Sequence, residues 1–543
     1  MTVTPRRAAE PTTGQRRDFT GLPRKQFMLA VACVTLAMFL GALGQTIVAT
    51  ALPRIVADVG DLDRYVWVAT AYMVAATAVA PVAGGLGDLY GRKPLFITGL
   101  IVFIAGSILL GFSRSMDEII VFRAIQGIGG GIIMTSSLVA VADLIRPEQR
   151  GKYQGLLAGV YGIASIVGPA VGGLVTDHYS WNGIFFLNVP IAFVILLSIA
   201  WVFPRADAKG ADRKLDYPGM VLLVLALVSL LLALSFGGAQ YDWDSPEFLG
   251  LLTFGLAAAV VFVFVELRVE RPIMPLAMYA DRTVSIAMAM VLLTGFALYG
   301  CLLFLPLFFQ GVLGVSAATS GNLLIPMLPA IVLGAILSGQ LLSRAGERYR
   351  LHVLCGTALA TAGMYMISTM NKETDVILIE SYLVLTGLGL GATLATITVA
   401  VQNAVPHAQV GSATAANQFW RSVGGMMGLA VAGAVMTSSF SSRLEAIVAG
   451  GAAASLPQGW LDSVKESPQE LLDPAAADAL RSGLAQAGTG SGHVADGILA
   501  SLRAVLAGAL SDVFMVLVVV SGLSFGTALL FRMPIDREST RNA

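Results

Sequence analysis

Polar residues along this chain collect into short clusters, and between the clusters run apolar stretches of about 20 residues, the length that crosses a bilayer core. Fourteen such stretches can be marked, near residues 27–51, 65–87, 94–112, 117–142, 154–175, 183–203, 217–236, 247–267, 284–309, 318–342, 351–369, 376–401, 412–437 and 509–531. The period-two alternation of barrel strands is absent from them. Backbone groups in hydrocarbon must pair within their own segment, so each stretch is predicted to be a helix. The first is too long, and too far from residue 1, for a cleaved signal peptide.

Composition agrees with that reading. Hydrophobic residues make up 56% of the chain and charged residues 13%, more apolar side chain than a water-soluble chain of this length could hide. Charge then sets orientation. With the N-terminus in the cytoplasm, 24 of the 34 Lys and Arg fall on the cytoplasmic side and 8 on the other. Four of those 8 lie in one long loop, 438–508, that weighs little in the positive-inside rule. Arg123 and Arg421 are left inside predicted spans. Both termini are therefore expected in the cytoplasm.

Little else is soluble. The loop 438–508 contains SPQELLDPAAADALRSGLAQ and HVADGILASLRAVLAG, whose Leu and Ala spacing predicts two short amphipathic helices on the outer face. They read as a connector, or as a cover near an exit. Cys33, Cys301 and Cys355 lie singly within spans and read as small packing residues, and the four histidines form no cluster. No cofactor, metal or nucleic acid is expected, and no catalytic pair or phosphate loop is present, so the chain does not read as an enzyme.

Three stretches hold more than a bundle of helices needs. GGLGDLYGRK, 84–93, lies in the turn after the second span. Gly87 and Gly91 allow a tight reversal, Asp88 suits a helix N-terminus or a basic partner, and Arg92 and Lys93 hold the turn in the cytoplasm. RAIQGIGGG, 123–131, places Arg123 inside span four, where insertion costs at least about 2.5 kcal/mol unless the group faces a cavity or a partner. Gln126 lies one turn on, on the same side; snorkelling to the outer interface is the alternative for Arg123. GVYGIASIVGPAVGG, 159–173, strips one face of span five to backbone at Gly162, Gly168, Gly172 and Gly173, while Pro169 permits a bend.

In this order the three stretches resemble signatures of the major facilitator superfamily, specifically its fourteen-helix drug:proton antiporters. TIVATALP (46–53), WVATAY (67–72), Asn188-Val189-Pro190-Ile191 and LPLFFQGVLGVSAATSGNLLIPM (305–327) agree with it. The resemblance implies an all-α polytopic membrane protein of the major facilitator fold: two six-helix halves, 27–203 and 283–531, joined by a linker, 204–282, with two additional helices, and flanked by cytoplasmic tails, 1–26 and 532–543. SGQLLSRAGERYR (338–350), with Gly346, Glu347 and Arg348, looks like a worn copy of the first signature, and Arg421 with its following glycines faintly echoes Arg123.

The resemblance also implies export of lipophilic or amphiphilic compounds by alternating access, driven by proton entry, from a monomer in the bacterial inner membrane whose partners are lipids, protons and the substrate. Arg123, Gln126, Gln45 and Arg421 are the implied coupling and transport residues. One position departs: relatives carry an aspartate in helix one before Gln-Thr-Ile-Val, and Gly44 stands there in FLGALGQTIVATALP. No acid lies near the middle of any span, and Glu380, early in span twelve, is the nearest replacement. Three readings stand: another acid carries the proton, the carrier is coupled differently or not at all, or the acid has been substituted. Transport of lipids or lipid-linked precursors is the second functional reading, favoured by a greasy cavity with a basic head-group site. A membrane sensor is the third, and tails this short hold no signalling domain.

Overall fold

A computed structural model describes residues 24–59, 65–145, 147–203, 216–237, 241, 243–269, 272, 274–315, 317–345, 349–406, 409–449 and 492–531. The described residues are dominated by helices. The first group comprises α1 (Arg24–Thr46), α2 (Leu52–Val59), α3 (Tyr65–Tyr90), α4 (Arg92–Phe112), α5 (Met116–Leu144), α6 (Pro147–His178) and α7 (Gly183–Val202). The linker pair is α8 (Tyr217–Phe236) and α9 (Pro246–Glu266). The second group comprises α10 (Arg282–Gly311), α11 (Ala317–Leu324), α12 (Met327–Ala345), α13 (Tyr349–Ser368), α14 (Val376–Ala404), α15 (Val410–Ala449) and α16 (Gly492–Leu529). Thirteen helices are long and apolar enough to cross a membrane among the described residues. α6, at predicted span five, is a further continuous helix of 32 residues.

Helix boundaries follow local chemistry. Ser115, Asp216, Ser245, Asp281 and Asp375 stand just before α5, α8, α9, α10 and α14, and each side chain accepts a hydrogen bond from a backbone N–H of the first turn. Those N–H groups have no partner within the helix, so a cap fixes where it begins. Trp201, Phe264 and Ile377 project from the outer surface. Such residues would aggregate in water; in a bilayer they are the lipid contact.

Three expectations are corrected. The first apolar stretch is not one helix: α1 ends at Thr46, a single 3-10 turn covers Ile47–Thr50, and α2 restarts at Leu52. Consecutive β-branched residues followed by Pro53 weaken the helix there. Predicted span ten is likewise divided, into α11 and α12, around Ile325 and Pro326. Lastly, the expected loop 438–508 is shorter: α15 continues to Ala449, and α16 begins at Gly492, so HVADGILASLRAVLAG is the first part of the last membrane helix rather than a separate one. SPQELLDPAAADALRSGLAQ, both tails beyond residues 24 and 531, and Gly346, Glu347 and Arg348 lie outside the described residues. Cys33 and Cys301 are buried, as packing residues should be, whereas Cys355 is exposed on the helix surface.

The two groups meet along two seams. α3 packs on α15, and α6 packs on α12 and α14. α8 lies against α9 and against both α3 and α15, so the linker pair covers the first seam from outside. Leu223, Leu227 and Leu231 of α8 share an apolar cluster with Val74, Ala78 and Val82 of α3 and Ala416 and Phe419 of α15.

Candidate functional site

Arg123 is fully buried on α5. Its Nε donates to the carbonyl of Val68 (3.0 Å), and its Nη1 donates to the carbonyl of Gly44 (2.8 Å) and to Gln126 Oε1 (2.7 Å). The guanidinium lies over the ring of Tyr72, 4.4 Å from its centre. Snorkelling is thereby excluded. The Gly44 carbonyl is available because α1 stops at Thr46 and leaves its last carbonyls without helical partners. Gln126 Nε2 in turn donates to Ser107 Oγ (2.8 Å), and the Tyr72 hydroxyl donates to the carbonyl of Gly41 (2.8 Å).

The glycines after Arg123 make this cluster possible. A Cβ on Gly127 would sit 2.5 Å from the Tyr72 carbonyl oxygen, one on Gly130 would strike the Tyr72 hydroxyl, and one on Gly129 would strike the backbone of Phe103. Bare backbone at these positions brings α3 and α4 close enough for Tyr72 and Ser107 to reach the arginine group. At Gly44 itself a Cβ would lie 2.9 Å from the Phe103 ring and 3.4 Å from the Tyr72 hydroxyl. Among the described residues no carboxylate pairs with Arg123.

The neighbours of Gly44 face elsewhere. Gln45 Oε1 accepts from the Tyr161 hydroxyl of α6 (3.1 Å), and Thr46 Oγ1 donates to the Ala164 carbonyl (3.1 Å), with Gly168 packed on the same threonine. Gly172 is buried, and its carbonyl accepts from Thr176 Oγ1 (2.6 Å). At Pro169 the helix continues.

The turn between α3 and α4 joins the two groups. Gly91 has φ of 88°, the left-handed region where a side chain is strained, and Gly87 lies so close to Arg92 that a Cβ there would strike its guanidinium. Arg92 pairs with Asp88 and donates through Nε to Asp143 Oδ2 (2.9 Å). The Asp88 carboxylate also reaches the other group: it accepts from the backbone N–H of Gly411 (3.1 Å) and Ser412 (2.8 Å) and from Ser412 Oγ (3.0 Å). Those amides belong to the first turn of α15, whose N–H groups and dipole favour an anion. Lys93 Nζ donates to the Phe203 carbonyl (2.8 Å), within the first group. Nearby, Arg150 Nη1 of α6 donates to Asn403 Oδ1 of α14 (2.9 Å), a second link between groups.

This face of the molecule, called here the basic face, is closed, and the seam along α6 parts away from it. Along α6 a Cβ would lie 3.0 Å from Ile336 at Gly155, 2.9 Å from Val332 at Gly159 and 3.8 Å from Leu328 at Gly162; at Gly173 nothing lies within 4 Å. Between the groups lies a narrow cleft whose unfilled space is about 540 Å³ with open solvent counted, of which about 30 Å³ is open to the centre of a water molecule. Gln45, Met73, Thr77, Met134, Thr135 and Tyr161 line one wall, and Tyr299, Gln418, Ser422 and Met426 the other. Arg421 borders it and donates to Gln418 Oε1.

The structure therefore unites Arg123, Gln126 and Gly44 in one cluster, and Asp88, Arg92, Gly87 and Gly91 in a second. Gln45 and Arg421 belong to the cavity and its border. Glu380 is half-buried near the start of α14 and belongs to none of these. Sequence reading missed Tyr72, Ser107, Gly411, Ser412, Asn403 and Gln418. Tyr72 lay in view, since WVATAY had been quoted, but nothing in that string says which helix its ring faces. The larger side chains of the cavity lining are methionine and tyrosine.

A profile of the Major Facilitator Superfamily matches residues 34–429. The chain is 36% identical over 416 residues to "Multidrug transporter protein MdtP" of Bacillus subtilis, covering 77% of this chain and 76% of that one. It is 32% identical over 531 residues to "Multidrug resistance protein 3" of the same organism, covering 97% of this chain and all of that one. A crystal structure of the human organic anion transporter MFSD10 (TETRAN) superposes with a TM-score of 0.58 at 16% identity, covering 76% of this chain and 94% of that one. At that identity the likeness concerns the fold alone.

Proposed function

Since the chain belongs to the Major Facilitator Superfamily, we propose that it is a secondary transporter that exports lipophilic or amphiphilic compounds by alternating access between its two helical groups. One observation carries this reading: a central cavity closed on one face by the contacts of Asp88 with Gly411 and Ser412, with a seam along α6 that parts toward the other. The excess of Lys and Arg supports a cytoplasmic basic face with both termini on that side, and in that orientation the arrangement is the outward-open state of a multi-pass protein in a bacterial cell membrane. The 27–203 and 283–531 groups rock against each other, and the α8–α9 pair rides on one seam. The relatives named above as multidrug proteins support export of varied compounds. Neither their names nor the cavity favours an enzyme or a sensor.

Reconstituted protein in vesicles is expected to move a fluorescent amphiphile down an imposed gradient and to exchange it for unlabelled compound. Flux no greater than in protein-free vesicles would overturn the proposal.

The Arg123 cluster supplies no proton carrier of its own. Arg123, Gln126, Ser107 and two backbone carbonyls include no carboxylate or imidazole, the groups whose charge changes near neutrality. The cluster therefore acts as a fixed positive hub that ties α1, α3 and α5 together. Introducing an acid changes that. Gly44→Asp combined with Phe103→Leu, which removes the ring from the path of the new Cβ, is expected to make efflux rise several-fold under an inward proton gradient, through a titratable neighbour of Arg123. Equal flux with and without the gradient in the double variant would show that this position cannot carry the proton.

A further inference from the structure

Charge is distributed unevenly around the cavity. Its lining contains no carboxylate or ammonium group, and α1, α10 and α12 carry no Asp or Glu along their lengths. In α3, α5, α6 and α15 every acid lies within five residues of a helix end. Two guanidiniums lie deeper than these acids, Arg123 seven residues into α5 and Arg421 eleven into α15. Arg421 is half-buried, pairs with no carboxylate among the described residues, and is joined to the cavity wall through Gln418. Tyr161, on the opposite wall, lies within electrostatic reach of Arg421. Arg123 stands behind Tyr72, solvated by carbonyl oxygens that do not neutralise it.

The two amides of the lining point the same way, while the hydroxyls of Thr77, Thr135 and Ser422 can donate or accept. Gln45 turns its amide oxygen to the Tyr161 hydroxyl, and Gln418 turns its own to Arg421. What both glutamines offer the cavity is their NH2 group, a donor. Met73, Met134 and Met426 give the rest of the lining a pliable apolar part that suits tails of varied shape. A lipophilic cation would find no counter-charge there and would face an unpaired guanidinium in a low-dielectric setting.

We propose that the cavity binds amphiphiles carrying a single negative charge, such as a carboxylate, sulfonate or phosphate on an apolar body, with Arg421 as charge partner and the amides of Gln45 and Gln418 as donors. This deepens the transport reading above and rests on it for direction of movement only. Binding is the quantity tested.

The full-length protein in phosphatidylcholine nanodiscs is titrated with three probes that share one fluorescent alkyl body and end in a carboxylate, a methyl ester or a trimethylammonium group. The carboxylate is expected to bind at least about tenfold more tightly than the trimethylammonium probe. Arg421→Gln is expected to remove that preference while the ester still binds, and Arg421→Lys, which keeps the charge, to preserve it. Equal or tighter binding of the cation, or an unchanged preference in Arg421→Gln, overturns the proposal. If Arg421→Gln binds no probe, Arg421→Lys decides, and loss of preference there overturns it too.

Displacement of the carboxylate probe by phosphatidylglycerol assigns a lipid source, and displacement only by dodecyl sulfate assigns a small free anion. Displacement by neither overturns the site. Anion-selective binding without flux in vesicles would sink the transport reading and leave this one standing; flux of cations without anion binding would do the reverse.

Discussion

Arg123→Ala is expected to abolish transport while the protein still inserts and elutes as a folded species. The substitution removes donors from the carbonyls of Val68 and Gly44 and from Gln126. Each buried acceptor left without a partner costs about 1–3 kcal/mol, so the junction of α1, α3 and α5 should lose its single geometry. The fold survives because the rest of the first group is held by apolar packing, including Phe96, Leu100 and Phe103 of α4 against α1 and α5. Arg123→Lys should give only partial recovery: an ammonium is a point charge and cannot span three acceptors in the planar fork of a guanidinium. Vesicle flux normalised to inserted protein is the measurement, and wild-type flux in Arg123→Ala would remove this residue from the mechanism.

Asp88→Asn is expected to release the basic face. The carboxylate accepts from two backbone N–H groups at the start of α15, from the Ser412 hydroxyl and from Arg92, and asparagine keeps the shape without the charge. Hydrogen bonds to charged groups are worth about 1.5–3 kcal/mol each, so even one lost contact moves the equilibrium between states by roughly ten- to a hundredfold. The loss falls on the closed basic face alone, because the Gly411 and Ser412 amides and the Ser412 hydroxyl lie across the seam and only Arg92 lies on the same side. Spin labels at Tyr90 and Leu351, both exposed at that face, report it: a longer-distance population should grow in the variant. An unchanged distance distribution would mean that these contacts do not hold the groups together.

Legibility in the sequence differed between the two clusters. Arg123 and Gln126 are three residues apart on one helix, so their contact follows from helical geometry and was readable before any fold was known. Asp88 and Arg92 are similarly local. Gly411 and Ser412 are more than 300 residues from Asp88, and nothing in a stretch beginning Val-Gly-Ser announces that its amides complete a latch. The break after Thr46 was also hidden, because the apolar run continues across it without a polar mark. Its consequence, a carbonyl of Gly44 freed for Arg123, could be seen only once the helix end was known.

By itself the sequence determined what depends on composition and short-range order: that the chain lives in a bilayer, how many apolar segments it has, which face is basic, and where tight glycine turns and the buried arginine lie. Those properties are set by transfer of side chains out of water and by the helical repeat, both of which act over one segment at a time. The tertiary structure alone decided which surfaces meet, that Asp88 bridges the groups, that the α6 seam closes on one face and parts toward the other, and that Gln45 and Gln418 present donors to a cavity joined to Arg421 through Gln418. Membrane helices associate through close fit and hydrogen bonds between segments distant in sequence, rather than through the solvent force that writes the spans, and that fit exists only when the helices are assembled.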